Sequence, residues 1–514
     1  MPLLSLSISQ LLLAFVSASI LHKLTFNRFF LGWLASHQFL YHSVPSNSDL
    51  KKLRDGSKSS KKANTKHKHN SRKEASSGRD NMRDEIVKIP AENLKCLQLE
   101  TAIVDARDLE LMVYSVDLEW IADLALMSLF SFAVTEIQFQ LYPQSKDCNF
   151  SLLWILIVVL YSIRTLGKLT STYFKNDQSI GERSICMVSG CVFLFIAMIV
   201  LMIDERRLEF GLNDTYRIIS ASLLSNSSTL AGKALGQGQS FSVVILTKLL
   251  IAMTSSLVGV VFTFPGLRFG QIHVALMERT EADRFARFKY SLNYLGPLLV
   301  VCLWIKTISR DPLRNQEFMA IGDDTFDTLR IYCIIIVNLF RFSMLPAYIS
   351  VFLESAGSRI ARIRCRGGTT TNKEIRMIVS SIYSYINVIA IQYTLPVFMC
   401  LYTAIMYKTL TGQRWIPKQI TDLMWGSQIF HNATVHLQTS GSENTTDFDN
   451  TDYLIPSNST RLSDLLDSVD INGIKKAFSP EVTGGLLGFA TWWLHFSWLC
   501  TSTAGFIYHS YFKH

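Results

Sequence analysis

Residues 184–203, SICMVSGCVFLFIAMIVLMI, form a run of 20 residues without one charged side chain. A helix of about 20 such residues spans the hydrocarbon core of a bilayer. Within lipid the backbone must satisfy its own hydrogen bonds, so a run of this kind folds as a helix. Apolar blocks recur along the rest of the chain. Charged residues make up 18% of the 514, against about 25% in soluble chains. A soluble enzyme, a secreted disulfide scaffold and a disordered chain are thereby excluded. What remains is an all-α, polytopic transmembrane helical bundle.

Hydropathy places about nine spans, at 2–21, 119–141, 150–170, 184–203, 241–264, 290–308, 328–352, 378–406 and 484–508. The first has two readings. Its small-residue ending, SASI, suits a cleaved signal peptide, but its charges, Lys23 and Arg28, follow the apolar run instead of preceding it. That order favours an uncleaved anchor with the N-terminus outside. The chain then divides into a first span or signal anchor (1–21), a basic cytoplasmic segment (22–118), seven spans (119–406), an acidic ectoloop (407–483) and a last span with its tail (484–514).

The net charge of +9 is local. Window 51–83 holds twelve Lys/Arg and three Asp/Glu, and the other 481 residues carry 38 of each sign. Such a block reads as a disordered, solvated cytoplasmic loop. A sharper reading is attraction to anionic lipid, worth about 1 kcal/mol per basic residue near a charged leaflet. Nucleic acid is not an expected partner, because the stretch KSSKKANTKHKHNSRK has no aromatic to stack on a base.

Arginines gather in 265–289 and 353–377, both cytoplasmic in this arrangement. The N-x-S/T sequons at Asn149, Asn213, Asn226, Asn432, Asn444 and Asn458 fall on or beside the external segments 142–149, 204–240 and 407–483. Asn149 lies too close to a span for glycosylation; the other five mark a glycosylated ectoloop and its neighbour. Charge and sequons thus select the same orientation. Residues 86–113 alternate in places, which suggests a small strand-like element on the cytoplasmic side.

Charges within spans cost about 2.5–3.5 kcal/mol each on insertion scales. Asp123, Glu136, Lys248, Arg330 and Arg341 all fall within spans. By depth, Glu136 matches Lys248 and Arg330 in the outer half, and Asp123 matches Arg341 in the inner half. Two layers of interior ion pairs follow, with Asp123 as the expected partner of Arg341. These pairs either fix helix register or line an ion path. Span eight is the most polar, with Asn387 and Gln392 among its Ser and Tyr residues, and Pro396 is its expected kink. Interhelical hydrogen bonding is the first reading of such side chains. His495, alone among the histidines within a span, reads as a hydrogen-bonded structural group.

No G-x-S-x-G, H-E-x-x-H or P-loop occurs. No His–carboxylate cluster suits a metal, no cofactor is implied, and the chain is not expected to be an enzyme. No TVGYG-type potassium filter and no clear internal repeat is present.

Five stretches, YFKNDQSIGERSIC (173–186), LEFGL (208–212), TFPGLR (263–268), DTFDTLR (324–330) and IAIQYTLP (389–396), resemble the transmembrane protein 161 family in order and spacing. That resemblance extends from about residue 115 to the C-terminus. It implies a multi-pass membrane protein without established enzymatic activity. It also implies control of potassium and calcium currents, and of cardiac rhythm, in excitable cells, with ion channels as candidate partners. The plasma membrane is the expected location, with an endomembrane as the alternative. The competing functional reading is an ion channel or transporter, its polar path lined by spans two, seven and eight.

Overall fold

The computed structural model describes residues 27–46, 88–90, 99–141, 151–175, 180–227, 236–314, 322–416 and 479–511, with a few single positions besides. The basic block 51–83, most of 1–21, and most of 407–483 with Asn432, Asn444 and Asn458 lie outside these residues, as does the side chain of Asn226. In chain order the elements are α1 (Asn27–Ser36), β1 (Leu40–His42), β2 (Lys88–Pro90), β3 (Thr101–Ile103), α2 (Ala106–Glu110), α3 (Ser115–Leu141), α4 (Ser151–Lys175) and α5 (Ile180–Val200). They continue with α6 (Leu212–Ser227), α7 (Gly236–Arg279), α8 (Arg284–Cys302), α9 (Lys306–Arg314), α10 (Asp323–Ser343) and α11 (Leu345–Arg366). The chain then forms β4 (Thr369–Thr371), α12 (Asn372–Ser384), α13 (Ile386–Leu410) and α14 (Pro480–Tyr511).

Among the described residues, six helical stretches are long and apolar enough to cross a membrane: Ser115–Phe139, Ser151–Thr172, Arg183–Val200, Ser242–Arg279, Asp323–Cys365 and Asn372–Leu410. The sequence suggested about nine spans. Of the other three, 2–21 lies mostly outside the described residues. The run at 290–308 does not stand alone as an apolar helix: α8 ends at Cys302 and begins with Arg284, Arg287 and Lys289. The run at 484–508 is fully helical as α14. Buried Gly484, Gly485, Gly488, Thr491, His495, Ser497, Thr501 and Ser502 dilute its apolar character, and it falls outside the six.

Two expected spans are each a pair of helices. Span seven breaks at Met344 between α10 and α11, with Pro346 in the first turn of α11, where a proline's missing N–H is harmless. Span eight breaks at Tyr385 (φ −93°, ψ 9°), not at Pro396, which lies inside α13. The reason is local. Helix α12 opens on a capping box, with Thr371 and Glu374 exchanging side-chain and backbone hydrogen bonds. It is amphipathic, with Ile375, Val379 and Ile382 buried and Ser380 exposed. The serines of span eight, Ser380, Ser381 and Ser384, belong to this amphipathic helix, while Asn387, Gln392, Tyr393 and Thr394 lie on α13.

Helix α13 is the axis of the bundle: the stretch Asn372–Leu410 is 94% buried over its most apolar window, against 22% for Arg183–Val200. A helix buried all round must be apolar all round or hydrogen-bonded, and among the described residues α13 meets this with apolar residues and hydrogen-bonded polar ones everywhere but at Asn387 Oδ1 and Gln392. Helix α14 packs against α6, α7, α8 and α13. Its crossing with α7 is close because both helices supply glycine. A Cβ on Gly270 would lie 2.5 Å from Phe506 N, and one on Gly505 would lie 2.7 Å from Leu267 O. Gly266 and Gly270 form a G-x-x-x-G pair, the small-residue arrangement that lets backbones approach in membranes. Two short antiparallel sheets, β1–β3 and β2–β4, sit at one end of the bundle. Strands β2 and β3 fall in the 86–113 stretch that the alternation singled out.

Candidate functional site

Two of the interior charges, Glu136 and Arg330, are ion-paired, with partners that depth matching did not select. Glu136 on α3 is ion-paired with Lys408 near the end of α13, and its Oε1 also accepts from Trp415 Nε1 at 2.7 Å. The Lys408 ammonium lies 4.3 Å from the Trp415 ring centroid. Lys408 and Trp415 stand just past the apolar run, so counting charges only within spans passed over them. Lys248 has no carboxylate partner among the described residues; it lies 5.2 Å from the Tyr216 ring centroid. Tyr216, on α6 outside the six apolar stretches, is buried, and that burial, with the Glu205 charge second, holds its phenol above its ordinary pKa.

Arg330 is buried on α10 at 3% exposure. Its Nη2 lies 3.3 Å from Glu209 Oε2 and 3.5 Å from Asp327 Oδ1. Arg310 joins the same group, at 2.6 Å from Asp327 Oδ1 and 3.3 Å from Glu209 Oε2. The rings of Trp304 and Phe326 flank the Arg330 guanidinium at 5.0 and 5.1 Å. Glu209 comes from the connection between α5 and α6, held by a bridge between Leu208 and Ile305. Two of the stretches that carry the family resemblance, LEFGL and DTFDTLR, therefore meet in one charge cluster.

Arg341 corrects the expectation more sharply. It is fully buried, as expected of an interior charge. None of its three guanidinium nitrogens has a hydrogen-bond partner among the described residues. Asp123 is not its partner; that half-buried carboxylate is engaged elsewhere. Equal depth does not imply facing sides, and depth was the only coordinate the sequence offered. The Arg341 guanidinium lies 4.9 Å from the Trp498 ring centroid on α14. A desolvated cation over an aromatic face gains about 2 kcal/mol or more, well short of the several kcal/mol that each buried ion costs.

Around Arg341 lies a polar and aromatic centre. Tyr393 on α13 donates to the Arg341 carbonyl at 2.6 Å. Asn293 on α8 donates to the hydroxyls of Tyr348 (3.1 Å) and Tyr393 (3.3 Å). His273 Nδ1 lies 3.0 Å from Tyr348 Oη, and Phe269 stacks on Tyr348 at 4.9 Å. On the other side, His495 Nδ1 lies 2.7 Å from Thr491 O and its Nε2 lies 3.1 Å from Asn338 Nδ2. Those contacts fit one neutral tautomer, Nδ1–H donating and Nε2 accepting from the amide. His495 is thus the hydrogen-bonded histidine that its surroundings in TWWLHFSW suggested.

Of the two polar residues singled out in span eight, Asn387 donates to Leu109 O at 2.9 Å. Gln392 is buried with neither amide atom partnered among the described residues. Among the sequons, Asn149 is a helix cap: its Oδ1 accepts from Ser151 N at 3.0 Å. Asn213 is exposed on α6.

The family described as predicted transmembrane protein 161AB matches residues 6–513. No solved structure matches the chain.

Proposed function

This chain belongs to the predicted transmembrane protein 161AB family, and from that premise we propose that it regulates ion homeostasis from within the membrane without itself conducting ions. It acts on potassium and calcium currents of excitable cells, the role that the resemblance implies, through ion channels as partners. The observation that carries this reading is the closure of the interior charges. Glu136 is held by Lys408 and Trp415, and Arg330 is held by Glu209 and Asp327 between two rings. Charges locked in this way stabilise a bundle and do not line an open path. In the full proposal α8, α14 and residues 2–21 also cross the membrane, giving nine spans. The N-terminus and a glycosylated 407–483 segment face outward at the plasma membrane, and residues 51–83 touch the anionic inner leaflet.

One observation favours a conducting alternative. Arg341 and Gln392 keep buried polar atoms without partners among the described residues, and polar and ionisable groups inside a membrane often mark ion paths. Purified chain in liposomes, assayed for potassium and calcium flux, separates the two readings. No flux is expected, while excitable cells lacking the chain should show altered currents that its re-expression restores. Ion flux through the purified chain alone would overturn the regulatory reading.

A further inference from the structure

A basic cavity of about 430 Å³ opens where α7, α11 and α14 meet. Its lining includes Arg268, Arg359, Arg362, His509, Gln271 and Ser355, and no acidic residue among those described. The three arginines come from two helices, and the Arg359 guanidinium feels both Arg268 and Arg362 as like charges. No described carboxylate pairs with any of the three. The acid nearest in sequence, Glu354, is taken by Arg279 at 3.0 Å. The Ser355 hydroxyl is buried without a hydrogen-bond partner among the described residues. Three unneutralised cations held together repel one another, and an anion relieves that repulsion. Arginine's planar donor fork suits a phosphate in particular.

A second cavity adjoins the first. A groove of about 410 Å³ runs between α5, α7 and α14, lined by Val188, Val192, Phe193, Cys500 and Ala504 among others. Ile185 and Leu267 line both cavities, so the two adjoin. Val188 and Ile185 are exposed on the outer face of the bundle, where acyl chains would lie. A cationic pocket beside an apolar groove has the chemistry of a phospholipid, charged at one end and greasy at the other. Every one of the basic lining residues lies in a segment that the charge bias assigns to the cytoplasmic side, where basic pockets between helices take anionic headgroups.

We propose that this composite cavity binds one anionic phospholipid, its headgroup phosphate among Arg268, Arg359 and Arg362 and an acyl chain in the α5–α7–α14 groove. None of its lining residues belongs to the basic block 51–83, and lipid binding there does not depend on whether the chain conducts ions.

The test uses the full chain in neutral detergent, reading the rise in melting temperature as dioctanoyl phosphatidic acid, dioctanoyl phosphatidylcholine or glycerol 3-phosphate is added. Phosphatidic acid should half-saturate the shift at a concentration at least ten-fold lower than phosphatidylcholine. Arg268→Gln with Arg359→Gln should raise that concentration at least ten-fold. Arg362→Gln, at an exposed position, gives the same direction in a variant whose fold is not at risk. Val188→Trp should weaken phosphatidic acid binding while leaving any glycerol 3-phosphate binding unchanged. Replacing the lysines of 51–83 by glutamine should preserve the selectivity. Equal responses to the two lipids would overturn the proposal. So would selectivity that vanishes with the 51–83 charges and survives the arginine changes. Glycerol 3-phosphate binding as tightly as phosphatidic acid, with no effect of Val188→Trp, would mark a free-phosphate site and overturn the lipid assignment.

Discussion

At the scale of single residues, three buried cations differ in what their removal leaves behind. Lys408→Met would leave Glu136 with one remaining donor, Trp415 Nε1. Stranding a buried charge costs about 3–5 kcal/mol, and the detergent-solubilised chain should melt at a clearly lower temperature. Adding Glu136→Gln should recover much of the loss, and an absence of coupling in that double-mutant cycle would refute the pairing. Arg330→Met is milder, because Arg310 still pairs with both Glu209 and Asp327. The loss should be about 1.5–3 kcal/mol, the scale of one charged hydrogen-bonding partner. Arg341→Met has the opposite sign. It removes a fully buried guanidinium with no hydrogen-bond partner among the described residues and replaces it with an apolar side chain of similar length. Replacing buried charge by well-packed apolar groups is often neutral or stabilising, so the melting temperature should hold or rise. A fall as large as that of Lys408→Met would show that Arg341 has an anionic partner in solution. These residues also show where sequence reasoning reached its limit. That the five charges lie within spans was legible from hydropathy. Which faces they occupy was not, because facing depends on helix rotation, and Lys408, Glu209 and Trp415 lie beyond the apolar runs.

At the scale of elements, glycine placement decides how closely helices meet. Gly270→Val on α7 would drive side-chain atoms into the α14 backbone, since even its Cβ would sit 2.5 Å from Phe506 N and 2.7 Å from Gly505 C. Backbone cannot rotate aside as a side chain does, and overpacking of this kind costs about 1–3 kcal/mol or more. Gly167→Ala on α4 is the contrasting change, because a Cβ there meets nothing within 4 Å. It should stabilise by up to about 1 kcal/mol through helix propensity. Thermal denaturation of the two variants side by side checks both signs, and equal destabilisation would refute the close crossing. The G-x-x-x-G spacing of Gly266 and Gly270 was passed over in the sequence, and no count of apolar residues says which helix answers it. The break at Tyr385 was hidden for a related reason. Span eight reads as one long stretch with Pro396 as its expected kink, and the capping box that starts a separate amphipathic helix lies before it, at Thr371 and Glu374.

At the scale of the whole molecule, contacts between distant segments sort the connections onto two ends. At one end Leu208 bridges Ile305, Glu209 reaches Arg330, and Thr328 and Tyr332 donate to the carbonyls of Arg414 and Trp415. These segments are those that sequons and charge bias place outside. At the other end β2 pairs with β4, Arg364 donates to Leu94 O, and Tyr383 donates to Asp108. These come from the segments placed in the cytoplasm. Segments joined by hydrogen bonds must share a side of the membrane, whatever the direction of the whole, and the positive-inside rule supplies the direction. The expected outcome is therefore double. Asn432→Gln, Asn444→Gln and Asn458→Gln together should abolish most of a glycosidase-sensitive mobility shift. A sequon introduced at the exposed Gly367–Gly368 turn beside β4 should gain no glycan, and one introduced into 51–83 should gain none either. A glycan acquired at the β4 turn would reverse the orientation of the entire bundle, because β2, α2 and α12 are tied to that end. A glycan acquired within 51–83 would reverse it equally, because β1 and β2 flank that block in the sequence and both of their sheets lie at that same end.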